Sequence, residues 1–244
     1  MGATQTTGNI SLVLSGTTPV VSTIYSLTPD GTYNENKVIV IAVEFSEEII
    51  VTGIPYLHIV TGTSNNKAFY TSNLNAKTIQ FQYLVQDGDT TSDLDYFSTD
   101  SLASGLGLIK GSTGMIANVT LPLPGVINSL GFNSNIVIDT VKPVITSVET
   151  TVLNGLYGVN VSIPLQINLN RNVVLSGGSL IVTLNSGAVL VIDSINGNVI
   201  EVPYVTKLGE QTNQLKISSL TLSEGATIQD ILGGDLNLLA INKN

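Results

Sequence analysis

Five acidic side chains are the residues of this chain whose types and spacing could do chemistry. Asp87, Asp89, Asp93 and Asp95 are close together in the sequence, and Glu47 follows an apolar segment that the fold could bring nearby. Ca²⁺ takes about six to eight oxygen ligands, which carboxylates on loops can supply. The pattern therefore predicts a calcium site formed by these five residues. The alternative is that they are solvated acids that cap turns, because their spacing differs from that of an EF-hand loop.

Other kinds of catalytic or metal chemistry have little support. Paired carboxylates occur in glycosidases, but the chain has no tryptophan and only 5% aromatic residues, so surfaces for sugar stacking are scarce. The single histidine, His58, alternates with Leu57 and Ile59 and is expected on the outer face of a strand. No Gly-x-Ser-x-Gly motif accompanies it, and the chain has no cysteine. We therefore expect a protein that is not an enzyme.

Charge and hydropathy exclude two classes of partner. The formal net charge is −9, and the sequence contains no basic cluster. Nucleic-acid binding draws much of its affinity from neutralised phosphates, so we expect no nucleic-acid partner. No apolar run approaches the roughly 18 residues of a membrane span, so we expect no membrane insertion.

The sequence segments that surround the five acids occur twice in the chain. Thr17–Ile24 returns as Thr140–Val148, and Val38–Gly53 lies over Ser162–Gly177 at an offset of 177 − 53 = 124 residues. A repeat of this length indicates tandem domains rather than a solenoid. We predict an N-terminal arm of residues 1–18, a first domain of residues 19–140 and a second domain of residues 141–244.

Short runs rich in Val, Ile, Thr and Tyr, separated by Gly, Asn, Asp and Pro, predict strands joined by turns. In the first copy the clearest strands are Val38–Phe45, Tyr56–Val60 and Thr78–Tyr83. No long segment has a helical period, and Ser92–Tyr96 is expected to form a short helical turn at most. The predicted fold class is therefore all-β, with two tandem β-sandwiches.

The second copy contains two turn signals. Asn185-Ser186-Gly187 lies between two apolar β-branched runs and predicts a hairpin. Asn196-Gly197 predicts another turn.

The acids themselves are not repeated. Asp87, Asp89, Asp93 and Asp95 correspond to Leu208, Glu210, Gln214 and Lys216 at an offset of 210 − 89 = 121 residues, and Glu47 corresponds to Arg171. These changes would remove an ion site from the second copy while leaving its strands intact.

The N-terminal arm contains a further echo. Its segment Asn9–Leu14 (NISLVL) resembles Asn135–Asp139 (NIVID), which directly precedes the second copy. The chain therefore begins with something like the last strand of a domain. We expect either an edge strand that folds back on the first domain or an arm that docks on a protein partner, which would be a capsid or another copy of the chain.

Several motifs recur in order along the first copy. They are Gly31–Tyr33, Phe45–Glu47, Val51–Leu57, Tyr83–Asp89, Ser92–Tyr96 and Asn135–Thr140. With these motifs, residues 19–143 resemble a bacterial immunoglobulin-like tandem repeat family found in large surface adhesins. The second copy matches only in its apolar frame, since Asn170-Arg171-Asn172 replaces Ser46-Glu47-Glu48.

The resemblance implies immunoglobulin-like sandwiches and a structural role in a surface assembly. The first setting is a virion component, such as a phage capsid decoration or fibre protein, which Met1 and the lack of a secretory signal favour. The alternative, which the family favours, is a segment of a secreted adhesin on the bacterial cell surface. A third reading is a carbohydrate-binding module for a host-surface glycan, which would need Tyr56, Tyr70 and Tyr96 exposed on one face.

Overall fold

The computed structural model describes residues 16–62 and 65–239, and within them the chain is almost entirely β. The predicted all-β fold is therefore confirmed. Contacts divide the chain into two compact units, with the division between Asp139 and Thr140. Most of the predicted N-terminal arm, residues 1–15, lies outside the described residues. No helix in the described part of the chain is long and apolar enough to span a membrane.

The first compact unit, called unit 1, has short strands and one helical turn. They are β1 (Val21–Ser26), β2 (Gly31–Tyr33), β3 (Val38–Phe45), β4 (Ile49–Thr52), β5 (Tyr56–Val60), β6 (Asn65–Asn73), β7 (Thr78–Leu84), β8 (Thr90–Thr91), β9 (Leu102–Ala103), β10 (Leu108–Gly111), α1 (Leu130–Asn133) and β11 (Ile136–Asp139).

The described residues of unit 1 form one large sheet and two small ones. The large sheet has six strands in the order β1-β3-β7-β6-β5-β9. The small sheets are the pair β10-β4 and the trio β2-β11-β8, in which β11 runs parallel to β2 and antiparallel to β8. All three sheets contribute buried apolar side chains to one core.

Burial in unit 1 follows the sequence pattern. Leu57 and Ile59 of β5 are fully buried, whereas His58 between them is half-buried, as its alternation predicts. Strand β3 is apolar along most of its length, and both Ile41 and Ala42 are fully buried. A strand buried on both faces lies inside a sheet, and β3 pairs with β1 on one side and β7 on the other.

The second compact unit, called unit 2, has a related set of strands. They are β12 (Ile145–Thr150), β13 (Ser162–Ser176), β14 (Leu180–Leu184), β15 (Val189–Ile192), β16 (Asn196–Val205), β17 (Ile217–Leu222) and β18 (Thr227–Gln229).

Strand pairing in unit 2 repeats that of unit 1. The order β12-β13-β16 matches β1-β3-β7, and β15-β14-β17 matches β6-β5-β9. Strand β13 is continuous where unit 1 has β3 and β4, and its last part pairs with β18 as β4 pairs with β10. Unit 2 has its own apolar core.

One of the three local predictions about turns is wrong. The hairpin around Asn185-Ser186-Gly187 is confirmed, since β14 and β15 pair across it. Asn196 and Gly197 instead begin β16 and pair with β13 beside a register shift, where Gly197 adopts a φ of 146° that glycine tolerates. Ser92–Tyr96 contains bends and no helical turn, and the helical turn lies at Leu130–Asn133.

Candidate functional site

Asp89 lies in a turn after β7 and is only 4% exposed. Its Oδ1 accepts hydrogen bonds from Thr61 Oγ1 at 3.0 Å and from Asn66 Nδ2 at 2.9 Å. Its Oδ2 accepts from the backbone N–H of Gln86 at 2.8 Å and from the hydroxyl of Tyr83. Both carboxylate oxygens are therefore engaged in holding the turn against the end of β7.

The Tyr83 hydroxyl is held in its neutral form by this environment. Burial raises the pKa of Tyr83 well above its ordinary value, and the hydrogen bond to the Asp89 carboxylate raises it further. A neutral phenol can donate to a carboxylate, whereas a phenolate would repel it. Tyr83 and Asp89 thus form a stable donor–acceptor pair at neutral pH.

The same turn occurs in unit 2 with different residues. At the offset of 121 residues, Tyr204 and Glu210 take the places of Tyr83 and Asp89. Glu210 Oε2 accepts from the Tyr204 hydroxyl at 2.8 Å and from the backbone N–H of Lys207 at 2.7 Å. Burial also raises the pKa of Tyr204. We call this feature, a tyrosine hydroxyl and a backbone N–H bound by one acid, the tyrosine–acid turn.

The recurrence of the tyrosine–acid turn bears on the calcium prediction. We expected the change from Asp89 to Glu210 to dismantle a site that only unit 1 possessed. Instead, both acids accept a tyrosine hydroxyl and the backbone N–H three residues earlier. The interpretation of Asp89 as an acid that caps a turn therefore has direct geometric support.

Asp93 and Asp95 lie together at a second place, beside α1. Their Oδ2 atoms both face Gly131, where an added Cβ would lie 3.1 Å from Asp93 and 2.9 Å from Asp95. Asp95 Oδ2 also accepts from the backbone N–H of Gly125 at 2.8 Å. Burial raises the pKa of Asp93, and the negative charges of Asp95 and Asp30 raise it further. This is a small region of like charge.

Glu47 lies far from Asp89. In the antiparallel ladder of β3 and β7, Glu44 pairs with Thr78 and Val38 pairs with Leu84. Glu47 follows the Glu44 end, whereas Asp89 follows the Leu84 end, so the length of β7 separates them by roughly 20 Å at about 3.3 Å per residue. The prediction that Glu47 shares an ion site with Asp89 is therefore wrong, because the antiparallel ladder places them at opposite ends.

The remaining acid, Asp87, is exposed in the turn that Asp89 caps. Among residues 16–62 and 65–239, no three His, Cys, Asp or Glu side chains are grouped so that they could hold a metal ion. Calcium binding stays a prediction. Of the five proposed ligands, Asp93 and Asp95 are the pair whose carboxylates face the same point.

The segment Ser46–Glu48 of unit 1 is replaced by Asn170–Asn172 in unit 2, but both segments accept a hydrogen bond from the equivalent backbone N–H. In unit 1 the backbone N–H of Val20 donates to Ser46 Oγ at 3.1 Å. In unit 2 the backbone N–H of Val144 donates to Asn170 Oδ1 at 2.8 Å. Next to Asn170, the Arg171 guanidinium that replaces Glu47 forms an ion pair of 2.9 Å with Asp230.

The three tyrosines proposed for glycan binding do not form one exposed face. Tyr96 is 1% exposed, and its hydroxyl donates to the Pro122 carbonyl at 2.7 Å. Tyr70 packs against the core, with its ring centroid 6.3 Å from that of Phe81. The expected support for a carbohydrate-binding module is therefore missing, since buried rings offer no platform for a sugar.

A different aromatic group lies on the outer face of β5 and β6. The Tyr56 ring meets the His58 ring edge-on at 5.0 Å, and Lys67 Nζ lies 4.2 Å from the Tyr56 centroid. Phe69 lies beside them and is 50% exposed. The cation above the ring stabilises this arrangement.

Unit 2 contains a groove that sequence reasoning missed. It has a volume of about 1030 Å³, and its lining includes residues 152–157 and residues 210–215. Leu153 and Leu156 at its edge are strongly exposed. The signal that could have revealed it is the loop Val152–Val159 (VLNGLYGV), which is unusually apolar for a loop.

No family model matches this chain. No curated protein matches it in sequence. A solved structure of a DUF4785 family protein from Legionella pneumophila is similar over 82% of this chain and 51% of that protein, with 8% identity and a TM-score of 0.25. At that TM-score the similarity supports no conclusion about function.

Proposed function

We propose that this protein is a non-enzymatic structural component of a surface assembly, in which its two β units serve as building blocks. The virion surface is the setting that we favour, as part of a capsid decoration or a fibre. The alternative is a segment of a secreted bacterial adhesin.

The tyrosine–acid turn is the observation that carries this proposal. Asp89 and Glu210 are the acids that the sequence aligns with each other, and both are used to hold a turn on a buried strand. An acid reserved for catalysis or for an ion would keep free oxygens directed at a ligand, but the two oxygens of Asp89 accept bonds from protein donors. Two β units that share this hydrogen-bonded turn are typical of repeated structural domains.

The adhesin alternative is favoured by one feature of the chain path. Strand β11 ends at Asp139, and β12 of unit 2 begins at Ile145. Pro143 lies between them and restricts the local backbone. The last strand of one repeat thus runs almost directly into the next, as in a tandem array.

Immunogold electron microscopy tests the setting. Antibodies against the purified protein would be applied to virus particles and to intact cells from the source culture. Label on the particles supports the virion setting, and label on the cell surface supports the adhesin setting. Label confined to the cell interior would refute the proposed surface role.

A further inference from the structure

The last strand of unit 1 completes its sandwich. Strand β11 lies between β2 and β8, with Ile136 paired to Gly31 and Ile138 paired to both Tyr33 and Thr91. Ile136 and Ile138 are 0% and 1% exposed. Alternate residues of β11 therefore fill the core, while its backbone joins two neighbours.

The first neighbour of β11 has a counterpart in unit 2. Gly155–Tyr157 corresponds to β2, since Tyr157 follows Tyr33 by 157 − 33 = 124 residues. The Tyr33 hydroxyl donates to the carbonyl four residues earlier at 2.5 Å, and the Tyr157 hydroxyl does the same to Leu153. The two segments thus share the hydrogen bond from the tyrosine hydroxyl to the carbonyl four residues earlier.

The second neighbour also has a counterpart. Thr212 corresponds to Thr91 of β8 at the offset of 121 residues. The Thr91 hydroxyl donates to the Asp93 carbonyl at 2.9 Å, and the Thr212 hydroxyl donates to the Gln214 carbonyl at 2.8 Å. Unit 2 therefore carries both walls between which unit 1 holds its last strand.

The strand between the walls is missing from the described part of unit 2. Within residues 140–239, no strand pairs with Gly155–Tyr157, and the groove lies between that segment and Thr212. In unit 1 the Leu94 N–H donates to β11 at 2.8 Å, and Leu94 is fully buried. Its counterpart Leu215 is only half-buried and lines the groove.

The sequence of this chain contains a segment that matches the missing strand. Asn9-Ile10-Ser11-Leu12 aligns with Asn135-Ile136-Val137-Ile138, so two apolar residues fall at the buried positions and serine falls at the outer one. The segment Asp235–Leu238 (DLNL) alternates in the same way but is already bonded elsewhere in unit 2, since the Leu236 N–H donates to the Ile228 carbonyl at 2.9 Å.

We propose that residues 9–14 of one copy insert into the unit 2 groove of a second copy and complete its sandwich. The inserted strand runs parallel to Gly155–Tyr157 and antiparallel to residues 211–212, with Ile10 and Leu12 directed into the core. Such strand addition supplies affinity through backbone hydrogen bonds and specificity through alternate side chains. The proposal rests on the assembly role proposed above and names the contact that builds the assembly.

This contact has a definite symmetry. The arm and the groove are different surfaces, so each bound pair leaves one arm and one groove available at its ends. Contacts of this head-to-tail kind form open chains or closed rings. Oligomers should therefore form as protein concentration rises, as open chains or as rings, of which the smallest is a pair of copies that exchange both arms.

Disulfide trapping tests the predicted register directly, because the natural chain has no cysteine. Full-length chains with Ser11→Cys and with Leu156→Cys would be coexpressed and mildly oxidised. The register places these outward-facing positions opposite each other, so mass spectrometry should find the disulfide between positions 11 and 156. Ser11→Cys paired with Leu153→Cys, about three residues out of register or roughly 10 Å, should give little product.

The size of the assembly provides a second test on the full chain. In light scattering over a wide range of concentration, Ile10→Asp with Leu12→Asp should weaken association by roughly 100-fold or more, as expected when two buried apolar side chains are lost. Thr4→Asp with Thr6→Asp adds the same charge outside the strand and should associate normally.

Two outcomes would overturn the proposal. In the first, the chain stays monomeric at every concentration and forms no disulfide between positions 11 and 156. The groove would then bind a strand from another protein. In the second, the two aspartate variants associate equally. Neither outcome alters the immunogold result, so failure of this contact is distinguishable from failure of the surface role.

Discussion

The substitution Asp89→Asn should destabilise unit 1 strongly although it changes only one atom type. Each oxygen of Asp89 accepts two hydrogen bonds, one from a side-chain hydroxyl and one from an N–H group. An asparagine in either orientation places its NH₂ group against one of these pairs. If the NH₂ group faces the Oδ2 partners, the backbone N–H of Gln86 cannot turn away and loses its acceptor. If it faces the Oδ1 partners, Asn66 Nδ2 loses its charged acceptor and keeps only Thr61 Oγ1 and the Tyr83 oxygen.

The magnitude follows from this count. A buried donor that loses its acceptor costs about 1–3 kcal/mol, and hydrogen bonds to a charged acceptor are worth more than bonds to a neutral one. Because Asp89 is 4% exposed, water cannot replace the lost acceptor easily. We expect Asp89→Asn to lower the free energy of unfolding of unit 1 by roughly 1–3 kcal/mol.

Unit 2 supplies a matched control. Glu210 is half-buried, and a single oxygen, Oε2, accepts both of its bonds in the tyrosine–acid turn. Glu210→Gln can present its remaining oxygen to both donors. We therefore expect it to cost less than about 1 kcal/mol.

Hydrogen exchange monitored by mass spectrometry would assign each effect to its unit. Asp89→Asn should accelerate exchange in peptides from β3 and β7, and leave peptides from β13 and β16 unchanged. The reasoning is refuted if Asp89→Asn exchanges like the natural protein, or if Glu210→Gln costs as much as Asp89→Asn.

Three further predictions concern pH and metal. Burial raises the pKa of Tyr83 and Tyr96 above the ordinary value of 10.0. Their contribution to the free energy of unfolding is therefore present below pH 10.0 and is lost as the pH rises above it. In a pH titration, the absorbance of their phenolate forms should rise only as the β signal in circular dichroism disappears. Burial and the charges of Asp95 and Asp30 raise the pKa of Asp93, so its contribution is greatest at acidic pH and is lost as pH rises through the folded-state value. Asp93→Asn should therefore raise the free energy of unfolding at neutral pH slightly, by no more than about 0.5 kcal/mol because the side chain is exposed, and a lowered free energy of unfolding would contradict this. EDTA should leave the unfolding midpoint of unit 1 unchanged if the acids serve its turns, whereas a rise of several degrees on adding Ca²⁺ would support the calcium prediction.

The strands could be predicted because burial and β propensity agree along them. Val38–Phe45 and Tyr56–Val60 match β3 and β5 at both ends. Asn196-Gly197 has the composition of a turn, but glycine also suits a bulge such as the one in the β13–β16 ladder. Only the pairing of distant strands distinguishes the two, and a local pattern contains no information on that pairing.

The candidate ion site could be predicted only in part. Asp93 and Asp95 are neighbours in space because they are two residues apart in one short segment. The position of Glu47 depends on the direction in which β7 runs beside β3, which the acids themselves do not encode. The role of Asp89 depends on Tyr83, which the sequence repeat had already aligned with Tyr204.

The proposed occupant of the groove could be inferred only from the sequence and the structure together. The sequence shows that residues 9–14 resemble the last strand of unit 1. The structure shows where that strand lies in unit 1 and that its counterpart position in unit 2 is a groove.

The concentration dependence of hydrogen exchange tests the assembly role most directly. If copies join through the proposed contact, backbone amides of residues 9–14 and of residues 155–157 should become protected together as protein concentration rises. Exchange at both segments that is independent of concentration, or protection of only one of them, would contradict the account.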